Sequence, residues 1–90
     1  MIKKPWGKYY KLFDIGFLWV KIIVVNKGQR TSLQYHFNRT EIHIGGKKVR
    51  FYPPLRRHRM TCGRYLEIAW GKPREEDIVR LKDDYDRIKN

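Results

Sequence analysis

Ninety residues, a net charge of +12 and a single cysteine bound what this chain can be. A chain of this size is one small domain, here residues 1–90, and it gains stability from a bound metal or a second subunit. Cys62 has no partner for an intramolecular disulfide, which points to a reducing, cytoplasmic setting.

The opening MIKKPWGKYY carries charge without a following apolar stretch or a small-residue cleavage site, so it does not read as a signal peptide. The longest apolar run, FLWVKIIVV (17–25), is broken by Lys21 and too short to span a bilayer, so no membrane role is expected. Its β-branched and aromatic content predicts a strand, and NKGQ (26–29) a turn in which Gly28 supplies a positive φ. A second strand is predicted over about 30–37, a third around 41–44, then the turn GGK and a short strand KVRFY (48–52) that PP ends. RYLEIAW (64–70) is a further strand. Five or six short strands with turns between them predict an all-β sandwich or small barrel. In the tail, Pro73 suits a first helical position and Glu75, Glu76 and Asp77 a first turn. Ile78, Leu81, Tyr85 and Ile88 share helical spacing, so a short amphipathic helix is predicted there.

Alternation along the second strand puts Arg30, Ser32, Gln34 and His36 on one face and Thr31, Leu33, Tyr35 and Phe37 on the other. Glu41 follows the turn-forming NRT and returns on a neighbouring strand. An amide oxygen, an imidazole and a carboxylate are either ordinary surface polars or a mixed N/O site, which suits Zn, Mn, Fe, Ni or Co. A fourth ligand would be needed, and His58, after a proline-fixed turn, is the candidate.

Several collinear segments resemble the cupin domain of type II mannose-6-phosphate isomerases, the domain often fused to a mannose-1-phosphate guanylyltransferase. They are KPWGKYYKL (4–12), VKIIVVNKGQRTSLQYHFNRTE (20–41), FYPPLRRHRM (51–60) and REEDIVRLKDDYDR (74–87). The resemblance implies a small cupin-type β-barrel, a jelly roll in trimmed form, with Gln34, His36, Glu41 and His58 binding a divalent transition metal. It also implies a sugar phosphate as ligand and isomerisation as a possible activity. This chain departs from the family pattern at Phe37, Asn38 and Ile42, where histidines are usual, and at Lys27, which replaces a proline. Between Glu41 and His58 it is shorter by about a hairpin, so fewer than the usual eight strands are expected, with one open end.

Arg30 and Ser32 share the face of Gln34 and His36, where they either reach a phosphate or sugar hydroxyl or line an empty polar mouth. Arg56 and Arg80 are further candidate phosphate contacts, whereas Arg57 and Arg59 flank His58 and point away from it. Glu67 and His43 are candidates for a general base. Thr31, Leu33, Tyr35 and Phe37 form an apolar stripe opposite the ligands, which predicts a homodimer covering it. Two other readings stay open: the lost hairpin and the missing histidines fit a non-catalytic cupin for a small anion or a protein, and the positive charge and the aromatics fit, less favoured, a nucleic-acid binder.

Overall fold

The computed structural model describes residues 1–87, which form eight strands: β1 (Ile2–Lys4), β2 (Gly7–Asp14), β3 (Leu18–Val25), β4 (Leu33–Tyr35), β5 (Arg39–Gly45), β6 (Lys48–Tyr52), β7 (Gly63–Gly71) and β8 (Val79–Lys82). Six pair antiparallel in the order β1-β2-β3-β7-β5-β6, and β4 pairs with β8 in a second sheet. Gln34 and His58 add a bridge on the other side of β4, each backbone bonding the other.

The fold is all-β, as expected, and all eight strands form where fewer were expected. The trimming falls on the second sheet: a jelly roll divides eight strands between two sheets, whereas here the division is six and two and the pairing does not close into a barrel. β3, β5, β6 and β7 lie where the sequence places them, but the second predicted strand contracts to three residues. β1 and β2 pair in the opening segment, where no strand was predicted.

The predicted C-terminal helix does not form among the described residues; Ile88 lies outside them. Two of the three acids assigned to its first turn, Glu75 and Asp77, are taken by tertiary partners instead. Glu75 accepts hydrogen bonds from the Tyr9 hydroxyl and the Lys21 ammonium, each at 2.6 Å. Asp77 accepts from the backbone N–H groups of Phe37 and Asn38 at 2.9 and 2.8 Å. Segment 74–77 is therefore a strap across the edge of the sandwich, and the chain beyond it joins β4 as β8.

Strand alternation gives the large sheet an unusual inner face. On β3, Trp19, Lys21, Ile23 and Val25 point inward and all are buried. On β5 the inward positions are Arg39, Glu41 and His43, and on β7 they include Glu67 and Ala69. Trp6, Tyr9, Ile23, Val25 and Met60 form the apolar core at one end. The other end is ionic. Lys21 bridges the two, its ammonium lying 3.9 Å from the Trp19 ring centroid and 4.3 Å from that of Tyr9, with Glu75 as counter-ion. Gly28 takes a φ of 77° in the turn leading to β4, as expected.

Candidate metal centre

The ionic end is built from both sheets. β5 delivers Glu41, which is 1 % exposed. β4 leads to His36, and the bridge beside β4 sets His58 next to it, both rings buried. His36 Nε2 lies 3.4 Å from Glu41 Oε2, His58 Nε2 lies 3.2 Å from Glu41 Oε1, and the two imidazole nitrogens are 3.3 Å apart. Three donor atoms thus converge within 4.8 Å, close enough for one divalent ion.

The shell around these rings orients them for that purpose. His36 Nδ1 faces the Asp77 carbonyl at 2.6 Å and His58 Nδ1 the Arg56 carbonyl at 3.1 Å. A carbonyl can only accept, so in each ring Nδ1 carries a proton and Nε2 is the nitrogen turned to the cluster. Burial lowers the His36 pKa to about 4, so the ring is neutral at physiological pH, as a metal ligand must be. Glu41 Oε2 lies 2.8 Å from Arg39 Nε, but the angle is not that of a hydrogen bond, and this buried oxygen has no hydrogen-bond donor. A carboxylate oxygen held by an ion pair without a hydrogen bond, and facing an imidazole nitrogen, fits a cation. Arg39, whose Nη2 donates to His36 Nε2 at 2.9 Å, is the group that would have to yield to it.

Gln34 is held beside His58 by their paired backbones, and its amide lines the same cavity as His58 and Arg39. Ser32, fully buried, donates its hydroxyl to Gln34 Oε1 at 2.6 Å, so it positions that amide. Arg80, opposite Gln34 across the β4–β8 pairing, also lines the cavity, and its buried Nε has no partner. The other two candidate arginines lie elsewhere: Arg30 is paired with Asp84 at 2.7 Å on the surface, and Arg56 sits exposed in the loop after β6.

A second group, Glu41, His43 and Glu67, meets the same distance criterion and shares Glu41. His43 Nε2 donates to Glu41 Oε1 at 2.8 Å and lies 3.4 Å from Glu67 Oε1, while Trp19 Nε1 donates to Glu67 Oε2 at 3.0 Å. Burial alone would lower the His43 pKa, but its bonds to the two carboxylates raise it to about 9. Arg39 and Asp77, central to the arrangement, were not singled out from the sequence. Arg39 had a legible signal, since residues 39, 41 and 43 share one face of a strand. Asp77 had none, because its partners are 39 and 40 positions away.

No curated protein and no solved structure matches this chain. No helix among the described residues is long and apolar enough to cross a membrane. A family model described as mannose-6-phosphate isomerase C-terminal matches residues 1–50, a stretch that holds Gln34, His36 and Glu41 and ends before His58. With more than half of its length matched, and with an all-β fold that gathers His36, Glu41 and His58 into a cluster able to hold a divalent metal, the chain belongs to the mannose-6-phosphate isomerase C-terminal family of cupins.

Proposed function

We propose that the protein binds a divalent transition metal through Gln34, His36, Glu41 and His58, and takes a sugar phosphate into the cavity beside them. The observation that carries this reading is the convergence of the His36 and His58 Nε2 atoms on the two oxygens of the buried Glu41 carboxylate. The mixed N/O donor set suits Zn, Mn, Fe, Ni or Co. Such an ion supplies Lewis acidity toward the sugar's carbonyl and hydroxyl oxygens.

The chain's own residues provide the rest. The unpartnered Arg80 guanidinium offers a donor to a phosphate. Glu67 fronts the same cavity and is the base best placed to move a proton. Aldose–ketose isomerisation needs a proton taken from C2 and returned to C1, with a hydroxyl proton passing from O2 to O1, and no redox partner. The free, exposed Cys62 fits a reducing, cytoplasmic setting.

The cavity is small, about 100 Å³. That favours a second reading, in which a small anion binds without turnover. Elemental analysis by plasma mass spectrometry separates the cases. The wild type should carry about one equivalent of transition metal, and a Gln34/His36/Glu41/His58 quadruple alanine variant none. With metal present, mannose-6-phosphate should isomerise, and Glu67→Gln should retain the metal while losing on the order of 100-fold in kcat. Metal without turnover selects the binding reading; no metal after reconstitution with each of the five ions sinks both.

We also propose a homodimer, formed through a different face from the stripe read off the sequence. Of that stripe, Thr31 is buried inside, Leu33 and Tyr35 are half-buried and only Phe37 is exposed. The outer face of the large sheet is far more apolar: Val20, Ile68, Ile42 and Phe51 align in one row, and Ile22, Leu66, Ile44 and Val49 in the next. Val49 and Phe51 there are 69 % and 55 % exposed. Sedimentation should report a dimer, and Val49→Lys/Phe51→Glu a folded monomer; a monomeric wild type at high micromolar concentration counts against the interface.

A further inference from the structure

β6 has its polarity reversed. Its outward residues, Val49 and Phe51, are apolar, while Lys48 and Arg50 occupy inward positions, in register with Gly45 and His43 of β5. On an edge strand beside a core, alternation normally runs the other way. The inward cations face a cleft of about 420 Å³, with Arg59 among its lining residues and His43 at its border. No carboxylate lines it. None of these three cations has a salt-bridge partner among the described residues; Arg59 Nε donates to the Thr31 carbonyl at 3.1 Å, and its buried Nη2 has no hydrogen-bond partner.

We propose that this cleft is a binding site for a small phosphorylated ligand carrying at least two negative charges, held by Lys48, Arg50 and Arg59. A concave surface of one charge sign concentrates counter-ions and strengthens their attraction. Guanidinium groups pair with phosphate through two parallel bonds, and two of the three cations are arginines. The volume lies in the range of small-molecule sites. Tyr52 and Tyr65 line the cleft as well and give an organic part of the ligand apolar surface. The site is separate from the metal cavity, which is lined instead by Gln34, His58 and Arg80, and it does not depend on metal being bound.

The test is a calorimetric titration of the full-length protein with inorganic pyrophosphate, in EDTA so that chelation adds no heat. The comparison is between the wild type, Lys48→Ala/Arg50→Ala, and a control pair outside the cleft, Lys3→Ala/Lys27→Ala, which removes the same net charge. The expected result is one saturable site, weakened at least tenfold in the cleft variant and less than twofold in the control. Cys62, the only cysteine, lies in the cleft and is exposed, so it gives a second readout on the unmodified protein. Pyrophosphate should slow its alkylation by iodoacetamide several-fold, in the wild type and the control pair. Equal weakening in both variants, absence of saturable binding, or unprotected Cys62 overturns the assignment. A single-stranded oligonucleotide that binds far more tightly than pyrophosphate, and is weakened equally by both substitution pairs, overturns it in favour of a nucleic-acid surface.

Discussion

Replacing Glu41 by Ala should abolish metal retention and destabilise the metal-free fold by about 3–5 kcal/mol, the usual cost of removing one partner from a buried ionic group. Among the described residues Glu41 is the only anion that faces Arg39, His36, His43 and His58 together, and it is 1 % exposed. Its pKa is held well below the ordinary carboxylate range: burial opposes ionisation, but the hydrogen bond from His43 and the charge of Arg39 outweigh it. Without it, the Arg39 guanidinium and the protonated His43 remain in a buried pocket with Glu67 as the remaining nearby anion. Glu41→Gln keeps the shape and loses the charge, so it should lose the metal as completely. Urea denaturation in EDTA, alongside plasma mass spectrometry, gives both readings. A Glu41→Ala protein within about 1 kcal/mol of the wild type, or one that still carries an equivalent of metal, contradicts this account.

The stability of the metal-free protein should peak near pH 6.5 and fall on both sides, because two buried histidines are shifted in opposite directions. His43 titrates at about 9 in the folded state against 6.5 as a free side chain. Its contribution is complete below pH 6.5 and is lost as pH rises through 9. His36 titrates at about 4, again against 6.5. The unfolded chain therefore binds a proton there first, and stability is lost as pH falls from 6.5 through 4. Each limb spans roughly 3 kcal/mol at full extent. The measurement is a series of urea midpoints in EDTA from pH 4 to 9.5. His43→Gln should flatten the alkaline limb alone; an alkaline limb that survives this substitution would show that another group is responsible.

How much of this was legible in advance depended on how far apart the interacting residues lie. β3, β5, β6 and β7 could be read because β-branched runs and Gly or Pro turns are local features. The pairing of Gln34 and His36 on one side of a strand follows from alternation and needs no tertiary information. Lys21 read as a break in an apolar run, yet it is buried, because Tyr9, Trp19 and Glu75 supply rings and a counter-ion from three other parts of the chain. The tail read as a helix because its apolar spacing and its acidic first turn both fit one. Those acids instead bond Lys21, Tyr9 and the backbone at 37 and 38, and these partners offer more than a helix dipole can.

The sequence by itself determined the fold class, the family and the residue types of the candidate metal site, since each rests on local pattern or on collinear motifs. Tertiary structure alone decided which charged residues became neighbours. It brought Arg39, His43 and Glu67 to Glu41, and it took Asp77 to the far side of His36, where its carbonyl fixes the ring. It also separated Arg30 from the site and turned Lys48 and Arg50 toward a cleft. The physical reason is that alternation states which residues share a face of one strand. Which strands face each other, and so which charges must be matched, is set only when two sheets close over a common interior.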